Sequence, residues 1–277
     1  MALVGTRNTF EILARAGYGA KGVVYLLLGG LAFSSVLVGG SGEDSPEGAL
    51  SRLLGAPMGR AVLGAIAVGL AGYVLWRLAQ SLLDADDNGT DATGLLTRAG
   101  QLASAVANSV LAATAAGLAL NGGGSGGSDS SSIIAMVMSQ PFGQWMVGAI
   151  GATFIGAGIA QVYRGAVRDY EDRITIPARF KPVLDPVCQY GLIARGALFV
   201  IIGGLIIFAA ITVSPENAGG LRDALDWLRS QPYGAALYGL MAAGLAAYGA
   251  YAIVQAFYRR MDPPDANDVK RMMPGTA

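Results

Sequence analysis

The sequence contains no histidine and only one cysteine, Cys188. The absence of histidine excludes bis-histidine haem, histidine-ligated zinc or copper, and a histidine general base. A single cysteine excludes a disulfide bond within the chain. Charged residues make up only 14% of the 277 residues, against about 25% in a typical soluble domain. We therefore predict no catalytic residue, no metal site and no cofactor.

Long apolar runs are abundant instead, and 53% of the residues are hydrophobic. Each run is close to the roughly 20 residues that a helix needs to cross about 30 Å of hydrocarbon. The runs are Gly22–Val38, Ala61–Leu78, Leu102–Leu120, Phe142–Val162, Gly196–Val213 and Gly234–Phe257. The sequence thus predicts an all-α membrane protein with six transmembrane helices rather than a soluble bundle. We expect the first run to be retained, because no convincing signal-peptide cleavage site follows it.

The formal net charge is zero, but the charges are sorted by side of the membrane. Counted from an inside N-terminus, 15 of the 19 basic residues fall in inside segments. The positive-inside rule then places both termini in the cytoplasm. Aromatic residues near the ends of the runs are typical of interfacial belts. These residues are Tyr18, Tyr25, Trp76, Trp145, Tyr163 and Tyr258.

A helix pair occurs three times, at about residues 15–84, 98–168 and 189–260. The Pro57-Met58-Gly59 motif recurs as Pro141-Phe142-Gly143 and Pro232-Tyr233-Gly234, and we expect each proline to occupy the first turn of the second helix. Two helices per repeat return the chain to the same side. The repeats are therefore predicted to be parallel, around a pseudo-threefold axis along the membrane normal. Residues 1–277 then form one membrane domain, ending in a disordered tail at 261–277.

A short amphipathic segment precedes each Pro-x-Gly motif. Segments of this length and polarity are expected to lie on the membrane surface rather than to cross it. We predict interfacial helices at Pro46–Leu54, Ile133–Met138 and Leu221–Leu228.

Small residues recur every fourth position when the three second helices are aligned. Such spacing lets the backbones of membrane helices approach closely, so we predict a helix-packing stripe. A narrow passage lined by small residues is the alternative. The stripe comprises Gly64, Gly72, Gly148, Ala152, Gly156, Gly239, Ala243 and Ala247.

Polar side chains collect near the predicted inner ends of the helices. Lys21 matches Arg195, with Ser104 at the same place in the middle repeat. These side chains are either snorkelling anchors or a ring that binds anions or lipid head groups. The candidate site comprises Lys21, Arg77, Gln80, Gln161, Arg164, Arg195 and Gln255. Asn108 is deeper, and we favour an interhelical hydrogen bond for it over a substrate contact.

No aspartate or glutamate lies inside any of the six runs. Proton-coupled pumps commonly carry a buried carboxylate relay within the membrane. The sequence therefore argues against such a pump.

The segments Arg15-Ala16-Gly17-Tyr18, Lys21-Gly22-Val23-Val24-Tyr25 and Gly29-Gly30 resemble a bacterial membrane family without an assigned function, domain of unknown function 1206. So do Gly48-Ala49-Leu50, Pro57-Met58-Gly59-Arg60 and Gly69-Leu70-Ala71-Gly72-Tyr73. The resemblance implies three repeated transmembrane helix pairs and a location in the bacterial inner membrane, and it supplies no catalytic residue. The middle repeat departs most, with Ser104 in place of a basic residue and Ala160 in place of an aromatic one.

Two functions remain open from the sequence. The first is a non-catalytic accessory or scaffold subunit of a membrane complex, or a lipid-binding protein. The alternative is a channel or facilitator for a small solute or anion along the pseudo-threefold axis. An intramembrane enzyme has little support, since no acid–base or metal constellation is visible. The expected partners are membrane lipids and other membrane-protein subunits, and no nucleic acid.

Overall fold

The computed structural model describes residues 2–38, 50–51, 55, 58–84, 86, 89–121, 130–172, 174–214, 217 and 219–259. Nearly all of them are helical. The helices are α1 (Ala2–Val38), α2 (Gly59–Leu82), α3 (Ala92–Asn121), α4 (Ser130–Met138), α5 (Gly143–Ala166), α6 (Lys181–Thr212), α7 (Leu221–Arg229) and α8 (Gly234–Tyr258). A 3₁₀ turn at Asp169–Asp172 follows α5.

Six of these helices, α1, α2, α3, α5, α6 and α8, are long and apolar enough to cross a membrane. This confirms the six predicted spans and a multi-pass architecture. Three helices begin well before their apolar runs: α1 at Ala2, α3 at Ala92 and α6 at Lys181. The prediction that Pro186 belongs to a connector was wrong, because α6 continues through it. The predicted disordered tail at 261–277 lies outside the described residues.

The second helix of each repeat begins at the glycine of its Pro-x-Gly motif. The expectation that the proline enters the first turn was wrong, because Gly143 and Gly234 are the first helical residues. The middle residue of each motif is left-handed, with φ of 62° at both Phe142 and Tyr233. Glycine is required by close packing, since a Cβ at Gly143 would overlap the carbonyl oxygen of Val137 in the preceding short helix.

Two of the predicted amphipathic segments are helical, as α4 and α7. The α7 helix buries Ala224, Leu225 and Leu228 against the bundle. The first predicted segment, Pro46–Leu54, lies largely outside the described residues. The helices are thus confirmed for two repeats, and their position at the membrane surface stays a prediction.

The six long helices contact one another in the order α3, α2, α1, α8, α6, α5. Helices of one repeat pack together in the first repeat, as α1 and α2, and in the third, as α6 and α8. Between the described residues of α3 and α5, the pair of the middle repeat, there is no comparable packing. The six helices therefore form a ring that is open in the middle repeat, and the threefold axis itself stays a prediction.

Glycines account for the close packing of the helix pairs in the first and third repeats, which we call the closed repeats. A Cβ at Gly17 would overlap the backbone of Tyr73, and one at Gly191 would overlap the backbone of Tyr248. Small residues let membrane helices approach until their backbones touch. Because Gly17 and Gly191 occupy equivalent positions, the first and third repeats close in the same way.

The middle repeat keeps the glycine but not its surroundings. Gly100 is equivalent to Gly17, yet a Cβ there would meet no described atom within 4 Å. On α5, Thr153 and Ala157 stand at the positions where the other repeats have glycine and tyrosine. Gly100, Thr153 and Ala157 are all exposed, whereas their equivalents in the closed repeats are buried. These two substitutions account for the open interface.

The predicted small-residue stripe needs correction, because close crossings use other glycines. A Cβ at Gly22 would lie 2.8 Å from the carbonyl oxygen of Gly249, and one at Gly196 would lie 2.7 Å from that of Gly158. At the stripe positions Gly64, Gly148 and Gly156, a Cβ would meet no described atom within 4 Å. Of the remaining positions, Gly72 and Gly239 are buried, Ala243 and Ala247 half-buried, and Ala152 exposed.

One polar residue near the start of each repeat bonds to the end of the second helix of another repeat. Arg15 donates to a backbone carbonyl in the last turn of α8 at 2.9 Å, and Arg98 does so to α2 at 2.8 Å. Gln189, at the equivalent position, makes a longer bond of 3.4 Å to α5. A cation at a helix C-terminus both satisfies an orphan carbonyl and complements the helix dipole. This contact fixes the junctions between repeats.

Candidate functional site: a buried cationic cluster

Three basic side chains, Lys21, Arg77 and Arg195, meet inside the bundle. Lys21 is only 3% exposed, and its Nζ donates to the hydroxyl oxygen of Tyr73 at 2.9 Å. The Nε of Arg77 donates to the same oxygen at 2.7 Å. The Lys21 ammonium also lies 5.4 Å from the ring centre of Tyr248. We define the cationic cluster as Lys21, Arg77 and Arg195 with their phenol partners Tyr25, Tyr73 and Tyr248.

Arg195 joins the three repeats. Its Nε donates to the hydroxyl of Tyr25 in the first repeat at 3.3 Å, and its Nη1 donates to Gln161 Oε1 in the second at 2.7 Å. The guanidinium also stacks on the rings of Phe199 and Tyr248 in the third repeat, at 4.2 and 4.6 Å. The cluster is thus an assembly of all three repeats rather than a property of one.

Equivalent positions build the cluster, and the middle repeat supplies the smaller side chains. Ser104 is equivalent to Lys21 and Arg195, and Ala157 is equivalent to Tyr73 and Tyr248. At 1.5 Å per residue, Gln161 and Ala157 lie roughly 8 and 14 Å from the end of α5. The cluster therefore lies within the bundle, below the helix ends, and is bounded by small residues on the side of the middle repeat.

The charge of the cluster is unbalanced in the part of the chain that the structure describes. There, no carboxylate lies within ion-pair distance of Lys21, Arg77 or Arg195. Burying a charge costs several kcal/mol unless it is paired, and ionisable groups at membrane depth are correspondingly rare. Phenol oxygens and aromatic faces offset part of this cost. The remaining positive charge makes the cluster a favourable place for an anion.

A polar chain links the cluster to the helix ends. Arg77 donates to Gln80 at 3.1 Å, and Gln80 donates to Asp86 at 2.6 Å. Asp86 in turn pairs with Arg259 at 3.0 Å, and the two side chains are only 13% and 6% exposed. These bonds hold the α2–α3 loop against the end of α8.

Sequence comparison places the chain among known proteins. The family described as Domain of Unknown Function (DUF1206) matches it three times, at residues 16–84, 99–168 and 190–259. The chain belongs to the DUF1206 family. It is also 34% identical over 259 residues to an uncharacterized protein, YxxB, of Bacillus subtilis (strain 168), with 92% of this chain and 94% of that protein covered. No solved structure matches the chain.

The structure of this DUF1206 protein brings together most of the predicted site residues. Those that lie in the cluster or its polar chain are Lys21, Arg77, Gln80, Gln161 and Arg195. Two lie apart from it. Arg164 is exposed and faces Asp169 at 3.7 Å, and Gln255 is buried in α8. Asn108 was expected to bond between helices, but its amide donates at 2.7 Å to the Ser104 carbonyl of its own helix.

The phenols at the centre of the DUF1206 site were missed. A signal existed, because Tyr73 and Tyr248 are equivalent residues and Ala157 breaks the pattern. Tyr18 and Trp76 are each only 1% exposed and lie inside the bundle, so their assignment to the belt was wrong. Trp145 and Tyr163, by contrast, are exposed.

A second polar feature of this DUF1206 chain lies beside the 3₁₀ turn. A cleft of ≈ 200 Å³ is lined by Glu171, Thr175, Lys181 and Asp185, among others. Asp185 is buried inside α6, which corrects the expectation that no acid lies within a span. The hydroxyl of Tyr170 donates to the Asp185 carbonyl at 3.1 Å. Burial, with help from the Asp185 charge, raises the pKa of Tyr170 to about 12, so the hydroxyl stays protonated at neutral pH.

Proposed function

We propose that this DUF1206 protein is a non-catalytic membrane protein that binds the anionic head group of a lipid at its cationic cluster. The observation that carries the proposal is the gathering of three cations inside the bundle, Lys21 buried and Arg77 and Arg195 half-buried, whose described partners are phenols, two amides and aromatic faces. A phosphate oxygen would supply the missing negative charge and accept several charge-assisted hydrogen bonds at once.

The nature of the donors supports a phosphate or similar oxyanion. Arg77 and Arg195 each carry a planar fork of N–H groups, and such forks match phosphate geometry. Lys21 adds a compact third charge. Because the phenol of Tyr73 already accepts from two of them, the cations are held in place before a ligand arrives, and preorganised sites bind more tightly.

The predicted orientation supports a lipid of the inner leaflet as the source. The cluster lies toward the ends of α2, α5 and α8, which the positive-inside rule assigns to the cytoplasmic side. We propose that both termini lie in the cytoplasm of a bacterium and that the protein resides in its inner membrane. The cytoplasmic leaflet is the one in which anionic lipids give a negative surface.

Lipid binding by the full chain in mild detergent tests the proposal. The wild type should bind fluorescent phosphatidylglycerol saturably and in preference to phosphatidylcholine. Replacing two cations, in Lys21→Met/Arg195→Gln, should weaken phosphatidylglycerol binding at least tenfold. The matched control is Arg222→Gln, which removes a charge from an exposed side chain of α7 and should bind as wild type. Undiminished binding by the double variant would contradict the proposal.

An anion facilitator is the second candidate, because the cluster lies between helices of all three repeats. Its weakness is the apolar packing toward the opposite end of the bundle. There Leu28, Val147, Leu198, Tyr238 and Leu245 share one buried cluster drawn from α1, α5, α6 and α8. Chloride and phosphate flux into liposomes distinguishes the candidates. Flux above that of empty vesicles would favour conduction over a static site.

An accessory role in a larger complex is compatible with lipid binding. The small-residue positions Gly64, Gly148 and Gly156 have open space around them, so the helices of another subunit could approach there. Affinity purification in mild detergent tests this role. A stoichiometric membrane partner would support it, and a protein that purifies alone would count against it.

A further inference from the structure

We propose that the lipid reaches the cationic cluster sideways from the bilayer, through the gap between α3 and α5 in the middle repeat. This inference rests on the proposed lipid binding and adds the route and the docking surface. The gap is defined by Gly100 on α3 and by Thr153, Ala157 and Gln161 on α5.

The gap exists because the middle repeat lacks the contact that closes the other two. Gly17 and Gly191 pack against the backbones of tyrosines that are fully buried or nearly so. Gly100 has no such neighbour among the described residues, and Thr153 and Ala157, the α5 residues equivalent to the closing ones, are exposed. Ala157 lacks the whole phenol ring that fills this place in the closed repeats. Without this ring, the described faces of α3 and α5 are left uncovered at the depth of the cluster.

Polar groups lead from the gap to the cations. On α5, Gln161 accepts a hydrogen bond from Arg195 at 2.7 Å, and its buried Nε2 has no partner among the described residues. On α3, Ser104 stands at the position equivalent to Lys21 and Arg195. A head group moving inward from the gap would therefore reach this buried amide donor before Arg195, which already bonds to the same amide.

Charge complementarity selects the occupant. The cationic cluster lies at the inner end of the gap. A molecule that fills the gap and pairs with the cluster must therefore bring a negative charge into the membrane. A transmembrane helix of a partner or of a second copy would have to carry a buried carboxylate, which is costly and rare in membrane segments. A phospholipid carries its phosphate at the interface and acyl chains that can cover the flanks of α3 and α5. An anionic lipid therefore fits the gap, because its phosphate pairs with the cations and its acyl chains cover the flanks of α3 and α5.

The test is to close the gap with the residues that close the other repeats. Gly100 is already in place, so Thr153→Gly/Ala157→Tyr gives the middle repeat the same three residues. The control is Ile159→Tyr, which adds a similar ring at an exposed position of the same helix. We expect the gap-closing variant to bind phosphatidylglycerol at least tenfold more weakly, with the control as wild type. Binding of glycerol 3-phosphate, which needs no side opening, should be unchanged.

The outcomes separate the route from the site. If the gap-closing variant binds phosphatidylglycerol like the wild type while Lys21→Met/Arg195→Gln does not, the route is overturned and lipid binding stands. If glycerol 3-phosphate displaces phosphatidylglycerol at equal concentration, a soluble anion is the natural ligand and the route is overturned. A stable dimer or a partner helix in the gap also overturns it.

A second measurement does not depend on the gap-closing variant folding. Benzoylphenylalanine placed at Ala157 should photo-crosslink to phosphatidylglycerol several-fold more than to phosphatidylcholine in mixed vesicles. At Ile159 the same group should crosslink to both lipids in proportion to their abundance. Equal labelling of the two lipids from position 157 would overturn the proposal.

Discussion

At the scale of single residues, Tyr73 holds the cationic cluster together. Its hydroxyl oxygen accepts hydrogen bonds from Lys21 and from Arg77, and the residue is fully buried. Two cations that would otherwise repel one another thereby share one acceptor. The sequence alone does not reveal this role, because Tyr73 lies inside an apolar run and only its three-dimensional surroundings show the two cations that bond to its hydroxyl.

Replacing this hydroxyl should be costly. Tyr73→Phe leaves two buried charged donors with one partner fewer, and hydrogen bonds to charged groups contribute about 1.5–3 kcal/mol each. We expect the free energy of unfolding in detergent to fall by about 2–3 kcal/mol. Tyr163→Phe is the control, because that residue is exposed, and it should change stability by less than about 0.5 kcal/mol. Equal effects of the two substitutions would contradict the role of Tyr73.

The helix-capping cations give a second prediction at this scale. Arg98→Ala removes the bonds to the end of α2 and should lower the free energy of unfolding by about 1–2 kcal/mol. Arg98→Gln should recover part of the loss, since Gln189 makes the corresponding contact in the third repeat. Thermal unfolding followed by circular dichroism measures both. A glutamine variant no better than the alanine variant would argue against capping.

At the scale of helices, the decisive contacts are glycine against backbone. The sequence suffices to place the six spans, because each is a long apolar run, and the start of α5 and α8 at the Pro-x-Gly motif. It does not suffice to choose the packing face. Glycines occur on several faces of these helices. The sequence alone gives no reason to place Gly22 and Gly249, rather than Gly64 and Gly148, at a close helix crossing.

Three equivalent glycines offer a matched test of the open interface. Gly17→Ala and Gly191→Ala place a methyl group into a neighbouring backbone and should each cost about 1–3 kcal/mol, as overpacking does. Gly100→Ala meets open space and should be neutral or stabilise by up to about 1 kcal/mol through helix propensity. Chemical unfolding in detergent gives the three values. A loss at Gly100 equal to the other two would mean that the middle repeat is closed.

At the scale of the whole molecule, three copies of one helix pair make a ring. The two helices of a copy pack together in the first and third copies, whereas the described residues of the middle pair do not. The repeat and its divergent middle copy are visible in the sequence, since Ser104 and Ala160 already break the pattern. That the two helices of this repeat do not pack together is not visible in the sequence, because it is seen only in the exposure of Gly100, Thr153 and Ala157. Because the two helices of the middle repeat lack this contact, the bundle differs on that side from its other two sides. This is the side at which we propose that the ligand enters.

The orientation of the ring gives a topology prediction. With 15 of the 19 basic residues on one side, alkaline phosphatase fused after Ala277 should be inactive, and the same enzyme fused after Ser230, between α7 and α8, should be active. Green fluorescent protein fused at the two sites should give the reverse pattern. The opposite result would place the cationic cluster toward the outer leaflet.

The most direct test of the central claim is a native mass spectrum of the full chain released from mild detergent. The account predicts one tightly retained anionic phospholipid per chain in the wild type and in Arg222→Gln. It predicts none in Lys21→Met/Arg195→Gln. A wild-type protein that emerges free of lipid after incubation with phosphatidylglycerol, or a double variant that retains the lipid equally well, would contradict it.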